Sequence, residues 1–216
     1  MGLDLVVEGC AKSGHEAEWR RFIERSFTDE EECSEAEIAR FREISIPPYE
    51  RIGAPRVNHD PAANEWILKA RGAKTPEEAA AILKEFDGYY VVRLVKCDGV
   101  PEYSHGDLYQ GADGTSLRGQ VLKECRDVLS KDLINDAWNH KMPDEAVAYG
   151  KALLTAADAA ANAGSRPGRS KPILERLRIT KERESMPLPE QIDIVRSAGR
   201  WFIFWGERGH PIRAWF

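Results

Sequence analysis

The sequence is poor in cysteine, and its four cysteines form no C-x-x-C pair. Cys10, Cys33, Cys97 and Cys125 lie far apart along the chain. The start, MGLDLVVEGC, lacks the basic region and the long apolar region of a secretory signal. We therefore expect reduced thiols in a cytoplasmic protein.

Long hydrophobic runs are also missing. The best candidate, WFIFW at 201–205, has only the length of a β-strand, far below the roughly 20 residues of a membrane-spanning helix. No membrane partner is expected. With 216 residues, of which 42% are hydrophobic, the chain is long enough to bury a core without disulfide bonds.

The common cofactor and metal motifs do not occur in this sequence. It contains no G-x-x-x-x-G-K-[ST], no G-x-G-x-x-G, no H-E-x-x-H and no EF-hand loop. The segment HEAEW at 15–19 departs from the zinc-protease pattern because its last residue is Trp19. No cofactor is therefore predicted.

The charge of the chain is mildly acidic, with 31 Lys and Arg against 36 Asp and Glu. A net charge of −5 argues against a nucleic-acid partner, because phosphate binding needs an excess of basic residues. Acidic residues concentrate at 16–37 and basic residues at 166–183. These segments are solvated faces, surfaces that steer a partner, or surfaces that pair with each other.

Several helix starts are marked by capping residues. Ser34 with Glu37 forms a capping box, Asp60 precedes a proline, and Thr75 precedes Pro76. Further helices are predicted within 14–27, 117–129, 132–140 and 143–164. The last of these is rich in alanine, which favours close helix packing over the alternative of ligand binding by its alanine face.

The apolar segments between these helices predict a small sheet. Strands are expected near 3–8, 89–96, 191–196, 200–205 and 211–216, with 89–96 in a central position and the last three forming a C-terminal β-meander. An alternative for the C-terminal region is a helix that begins at Pro189 and ends near Gly199. The predicted fold class is α+β, with a mixed or mostly antiparallel sheet covered by several helices. We expect a single domain over 1–216, with an exposed connection at 165–171.

The segment YSHGDLYQGADGTSLRGQ at 103–120 is the main candidate site. If Thr115 or Ser116 capped a helix from Leu117, its free backbone N–H groups and Arg118 would bind a small anion, with Tyr109 nearby. The alternative is an ordinary capped helix after a turn.

The same segment also contains possible catalytic groups. Two of them, His105 and Asp107, could act as a base and an orienting acid, and Ser116 as a nucleophile. The segment GTSLRG is not a nucleophile elbow, because its glycine comes one residue late. A hydrolase or transferase acting through 103–118 is therefore the alternative to a binding role.

A metal site is conceivable but is not our prediction. Cys10, His15, Cys97 and His105 follow two of the predicted strands and could meet in space. Their spacing does not match that of a zinc finger, so separate buried thiols and unrelated histidines are the favoured interpretation.

The start MGLD and the segment DGTSLRGQVL resemble short patches of small bacterial and phage proteins. These proteins begin with Met-Gly-Leu-Asp and carry a Ser-Leu/Phe-Arg-Gly segment midway. The resemblance implies no established activity and assigns no residue a role. The sequence therefore predicts a binding or interaction module that recognises a partner protein or a small anionic ligand.

Overall fold

The described part of the chain is mainly helical, with two small antiparallel sheets. The computed structural model describes residues 2–28, 33–91, 94–95, 116–164 and 186–216. These fall into two units, which consist of residues 2–7, 116–164 and 186–216, and of residues 8–28, 33–91 and 94–95. The α+β class is confirmed. The single domain over 1–216 stays a prediction, and the connection at 165–171 lies outside the described residues.

A three-stranded antiparallel sheet belongs to the first unit. Strand β1 (Asp4–Val7) lies between β4 (Ser116–Leu117) and β5 (Ile212–Trp215). Leu5 is opposite both Leu117 and Ala214, and all three side chains are buried. Because successive strand residues point to opposite faces, Val6 and Trp215 lie on the exposed face.

The outer edge of β5 is occupied by the chain at 140–141. Lys141 and Ile212 exchange two backbone hydrogen bonds, both of 2.8 Å. Beyond them, the backbone N–H of Ala214 donates to His140 Nδ1 at 3.1 Å. These contacts fix the loop at 140–141 against the sheet.

Two long helices, α7 (Pro143–Gly164) and α8 (Leu188–Glu207), pack against each other. They run antiparallel, because Gly150 lies against Gly199 and the far end of α8, at Gly206, lies against Pro143. A Cβ atom at Gly150 would approach the Gly199 carbonyl oxygen to 2.6 Å. Glycine is therefore required for the close approach of the two backbones.

The predicted C-terminal β-meander is wrong in two of its three strands. The segments 191–196 and 200–205 both lie in α8, and only the third segment forms a strand, β5. The β-branched residues Ile192, Ile194 and Val195 favoured strands by propensity. Burial along α8 follows a helical period instead, because this helix packs closely on α7. The alternative helix from Pro189 was the better interpretation, although α8 continues beyond Gly199 to Glu207.

The predicted helix over 117–129 is also not observed, and a short strand and a 3-10 helix occupy its first part. Leu117 belongs to β4, and a six-residue 3-10 helix (Gly119–Glu124) follows. Gln120 donates its backbone N–H to the Leu3 carbonyl at 3.3 Å, and Gly119 leaves no room for a Cβ beside the Leu3 side chain. Close contact with the chain before β1 therefore holds this segment in an irregular conformation. The next predicted helix, at 132–140, is confirmed only in its first part, because α6 (Lys131–Asp136) ends four residues before His140.

The second unit contains five helices among its described residues. They are α1 (Glu16–Thr28), α2 (Glu35–Ile44), α3 (Pro48–Arg51), α4 (Pro61–Arg71) and α5 (Pro76–Glu85). A two-residue ladder joins β2 (Cys10–Ala11) to β3 (Ser45–Ile46). The α4–α5 region packs on a core of Val57, Ala63, Ile67 and Val91.

Two of the capping predictions in this unit are confirmed. Ser34 and Glu37 form a complete capping box, and the Thr75 side chain accepts from the Glu78 backbone N–H. The Asp60 side chain instead accepts from the Arg56 backbone N–H at 2.7 Å. The helix after Asp60 nevertheless forms where it was predicted.

The predicted central strand at 89–96 is not observed in its described part. Tyr90 makes only an isolated bridge with Arg56, and β1 is the central strand of the three-stranded sheet. Residues 92–93 and 96 lie outside the described residues.

Candidate ligand-binding cleft

Only two of the predicted site residues, Ser116 and Arg118, lie within the described residues. The other four, His105, Asp107, Tyr109 and Thr115, lie outside them. Ser116 is in β4, opposite Val6. The Arg118 guanidinium is half exposed, and its Nε lies 3.2 Å from Asp4 Oδ1.

The expected helix cap at Thr115 or Ser116 is wrong in its position. The helix begins at Gly119 with Arg118 as its N-cap residue, and no side chain caps it. Ser116 and Leu117 belong to the sheet, so they do not offer the free N–H groups of a helix start. The α-helical anion site therefore loses its structural basis, whereas the ligand-binding and catalytic roles of the six residues stay predictions.

Two of the four residues considered for a metal site, Cys10 and His15, lie within the described residues. Cys10 is buried in β2, and this burial raises the pKa of its thiol. His15 is partly exposed before α1, with its Nδ1 3.7 Å from Glu18 Oε2. The other two members, Cys97 and His105, lie outside the described residues. Within the described ranges, no three His, Cys, Asp or Glu side chains form a group that could hold a metal ion.

A cleft of about 440 Å³ lies beside the first turns of α7 in the first unit. Its polar lining comes from α6, the following connection and α7, and consists of Asp136, Asn139, His140, Lys141 and Glu145. Its apolar lining consists of Leu133, Ala148, Tyr149 and Ala152. Glu145, Ala148, Tyr149 and Ala152 share one face of α7 by their helical spacing. The side chains of the two alanines are small, which leaves space for the cleft beside this face of α7.

Lys141 is the most unusual residue of the cleft, because its charged side chain is almost completely buried. The residue is 3% exposed. Its Nζ donates to the Asp136 carbonyl oxygen at 2.7 Å and lies 3.0 Å from Asp136 Oδ1. The same ammonium lies 4.4 Å from the centre of the Tyr149 ring. A carboxylate, a carbonyl and an aromatic face thus compensate for the loss of water around this charge.

Tyr149 forms a rigid wall of the cleft. Its hydroxyl donates to the Leu133 carbonyl oxygen at 2.8 Å, which ties α7 to α6. Its ring packs edge to face against Phe202 of α8, with 4.8 Å between ring centres. Burial raises the pKa of this hydroxyl well above its usual range, so the hydroxyl stays protonated at neutral pH.

The tautomer of His140 follows from its contact with β5. Its Nδ1 accepts the Ala214 backbone N–H, so in the neutral ring the proton is on Nε2. The backbone pairing of the next residue, Lys141, with Ile212 fixes this part of the cleft to β5. The cleft wall at 140–141 is therefore preorganised.

The two carboxylates of the cleft already accept hydrogen bonds from the protein. Asp136 Oδ1 lies 3.0 Å from both Asn139 Nδ2 and Lys141 Nζ. Glu145 Oε2 accepts the Met142 backbone N–H at 2.8 Å, which satisfies a donor at the start of α7. Both carboxylates face solvent, and the Asp136 side chain is 44% exposed.

Five polar and four apolar residues line the cleft, and several of the polar groups are held in fixed positions. Polar groups in fixed positions orient the ligand in small-molecule sites. Sequence analysis singled out none of its polar residues, and it favoured helix packing over ligand binding for the alanine face of α7. It assigned 132–140 to a helix and predicted the start of the next helix at Pro143. No local pattern shows that Lys141 would be buried, because its burial depends on Asp136, Tyr149 and β5.

Comparison of the chain with protein-family models, with curated proteins and with solved structures finds no match. The resemblance to small bacterial and phage proteins stays a prediction. Among the helices in the described ranges, none is both long enough and apolar enough to cross a membrane.

Proposed function

We propose that this protein is a binding module and that the cleft beside Lys141 holds a small ligand. The observation that supports this proposal is the nearly buried Lys141 ammonium in the wall of a 440 Å³ cleft. Small-molecule sites commonly have volumes of about 300–1,000 Å³ and contain few polar groups. Lys141 and Tyr149 are held by hydrogen bonds and packing, so a ligand would meet a preformed wall.

The proposal is tested with three small probes of one shape and different charge: benzoate, benzamide and benzylammonium. Each is titrated into the ¹⁵N-labelled protein, and the shifts of backbone amides are followed. We expect at least one probe to shift amides within 133–152 in a saturable way, because these residues line the cleft.

Two alanine variants of α7 provide a matched comparison. Ala148 is exposed and lines the cleft, whereas Ala159 is exposed on the same helix and lies outside the lining. Ala148→Trp should fill the cleft and abolish the shifts, whereas Ala159→Trp should leave them unchanged. The proposal fails if no probe shifts this region, or if both variants respond equally.

Recognition of a partner protein is the second candidate. The observation that favours it is the exposed face of the three-stranded sheet, where Trp215 is 66% and Val6 is 37% exposed. Exposed aromatic side chains are enriched at protein interfaces. The enzyme alternative through 103–118 depends largely on residues outside the described ranges and stays a prediction.

The cellular setting predicted from the sequence is part of this proposal. We propose a cytoplasmic protein of bacterial or phage origin with reduced thiols. Cys10, Cys33 and Cys125 are free, and burial raises the pKa of Cys125 to about 12, which keeps this thiol protonated. A reductant should therefore leave the melting temperature of the purified protein unchanged.

A further inference from the structure

The polar atoms of the cleft differ in burial, and this difference bears on the kind of ligand. Lys141 is 3% exposed, whereas Asp136 and Glu145 face solvent. Charge interactions are screened by water at exposed groups and are much stronger at buried ones. The group that contacts Lys141 should therefore contribute most to binding.

The hydrogen-bonding capacity of Lys141 is only partly used. An ammonium has three N–H donors. The described residues place two oxygens near Nζ, and both belong to Asp136. A ligand oxygen in the cleft would supply a third acceptor. An ammonium ligand would instead place like charge beside Lys141, and the carboxylates available to it face solvent.

From this geometry we infer that the cleft takes a small organic acid, with its carboxylate at Lys141 and its apolar body against Ala148 and Ala152. This inference rests on the proposed function, because it names the ligand class of the same cleft. The apolar body is indicated by the two alanines and Leu133, which lack polar side-chain atoms. Charge-assisted hydrogen bonds to a carboxylate are about twice as strong as neutral ones.

The Glu145 carboxylate repels a carboxylate ligand, so replacing Glu145 tests the inference. With Asp136 balanced by Lys141, Glu145 leaves the cleft with one excess negative charge when His140 is neutral. Glu145→Gln removes this charge and keeps an oxygen that accepts the Met142 backbone N–H. The variant should tighten benzoate binding by about two- to fivefold, which is the modest effect of a screened charge.

The experiment measures dissociation constants of benzoate, benzamide and benzylammonium by titration of the ¹⁵N-labelled protein. Benzoate should bind at least fivefold more tightly than benzamide, and Glu145→Gln should strengthen benzoate binding more than benzamide binding. Lys141→Met should remove the preference for benzoate. Because Lys141→Met removes a buried lysine with its ion pair to Asp136 and could fail to fold, Glu145→Gln provides the independent measurement.

The possible outcomes separate the inference from the proposed function. If benzylammonium binds in the cleft more tightly than benzoate, or Glu145→Gln weakens benzoate, the ligand class is wrong and the binding function stands. Equal binding of benzoate and benzamide also overturns the ligand class alone. If none of the three probes shifts amides within 133–152, the binding function itself fails.

Discussion

The two helical pairs of this protein are stabilised in different ways. The α7–α8 pair depends on contacts between the two backbones, with Gly150 against Gly199, and α8 buries two complete tryptophan side chains, Trp201 and Trp205. The α4–α5 pair is smaller, and no residue of α5 is fully buried. Its half-buried Ile82 and Leu83 pack against a four-residue core.

The ends of the helices show the same contrast. In the α4–α5 pair, Gly72 ends α4 in a left-handed conformation with φ of 70°, and Thr75 caps α5. The N-cap residue of α8, Pro187, has no side chain that could cap the helix. Gln191, which is 1% exposed, binds the Met186 carbonyl and both the backbone and the side chain of Asp127.

This comparison shows which residues specify the position of each helix. The α4–α5 pair is specified by residues next to each helix end, whereas α8 depends on partners distant in sequence. We therefore expect changes in the α7–α8 pair to have large and global effects, and changes at the caps of the α4–α5 pair to have small and local ones.

The largest effect is expected for Gly150→Val. The new Cβ would meet the Gly199 carbonyl at 2.6 Å and the Ile203 side chain at 2.8 Å, and the backbone carbonyl cannot turn away without breaking α8. We expect a loss of about 3 kcal/mol or more in the free energy of unfolding, at the upper end of overpacking costs. Urea denaturation followed by circular dichroism measures it. Ala159→Val, at an exposed position of the same helix, should cost only about 0.5 kcal/mol. Equal losses would show that the close helix contact has no special role.

A smaller but still long-range effect is expected for Gln191→Met. This change keeps the length of the side chain and removes its hydrogen bonds to Asp127 and Met186. Three partly buried hydrogen bonds are lost, so the free energy of unfolding should fall by about 2 kcal/mol. The double variant with Asp127→Ala should lose less than the sum of the single losses, because the two residues interact. Additive losses would show that Gln191 does not fix the start of α8 through its contact with Asp127.

The smallest effect is expected for Thr75→Ala in the α4–α5 pair. The variant loses the bond from the Glu78 backbone N–H to the Thr75 hydroxyl, at a cost of about 1 kcal/mol, whereas Thr75→Ser should keep it. Amide hydrogen exchange should become faster in α5 and remain unchanged in α7. Faster exchange in α7 as well would contradict the division into locally and distantly specified helices.

This division also explains which parts of the fold could be predicted from the sequence. The helices after Ser34, Asp60 and Thr75 were predicted because the signal for each lies within four residues of its start. Strand β1 was predicted from its β-branched residues. In each case the local preference agrees with the final structure.

The errors arise where distant contacts override the local preference. The β-branched and aromatic residues of 191–205 favour strands by themselves, but Gly199 and Gly206 allow this segment to pack as a helix on α7. Leu117 has helical spacing with later apolar residues, yet it pairs with Leu5, which is more than a hundred residues away. The cleft was missed for the same reason, because the burial of Lys141 depends on its backbone pairing with Ile212 of β5 as well as on Asp136 and Tyr149.

The contacts of the loop at 140–141 with β5 also affect how copies of this chain meet one another. An open strand edge presents unpaired N–H and C=O groups to which another chain can add a strand, which is a common route to aggregation. The backbone bonds between Lys141 and Ile212, and the bond from the Ala214 N–H to His140, occupy these groups on β5. The loop that shapes the cleft thus also blocks the addition of a strand from another molecule to β5. Displacement of this loop would expose an aggregation-prone strand edge in the native protein.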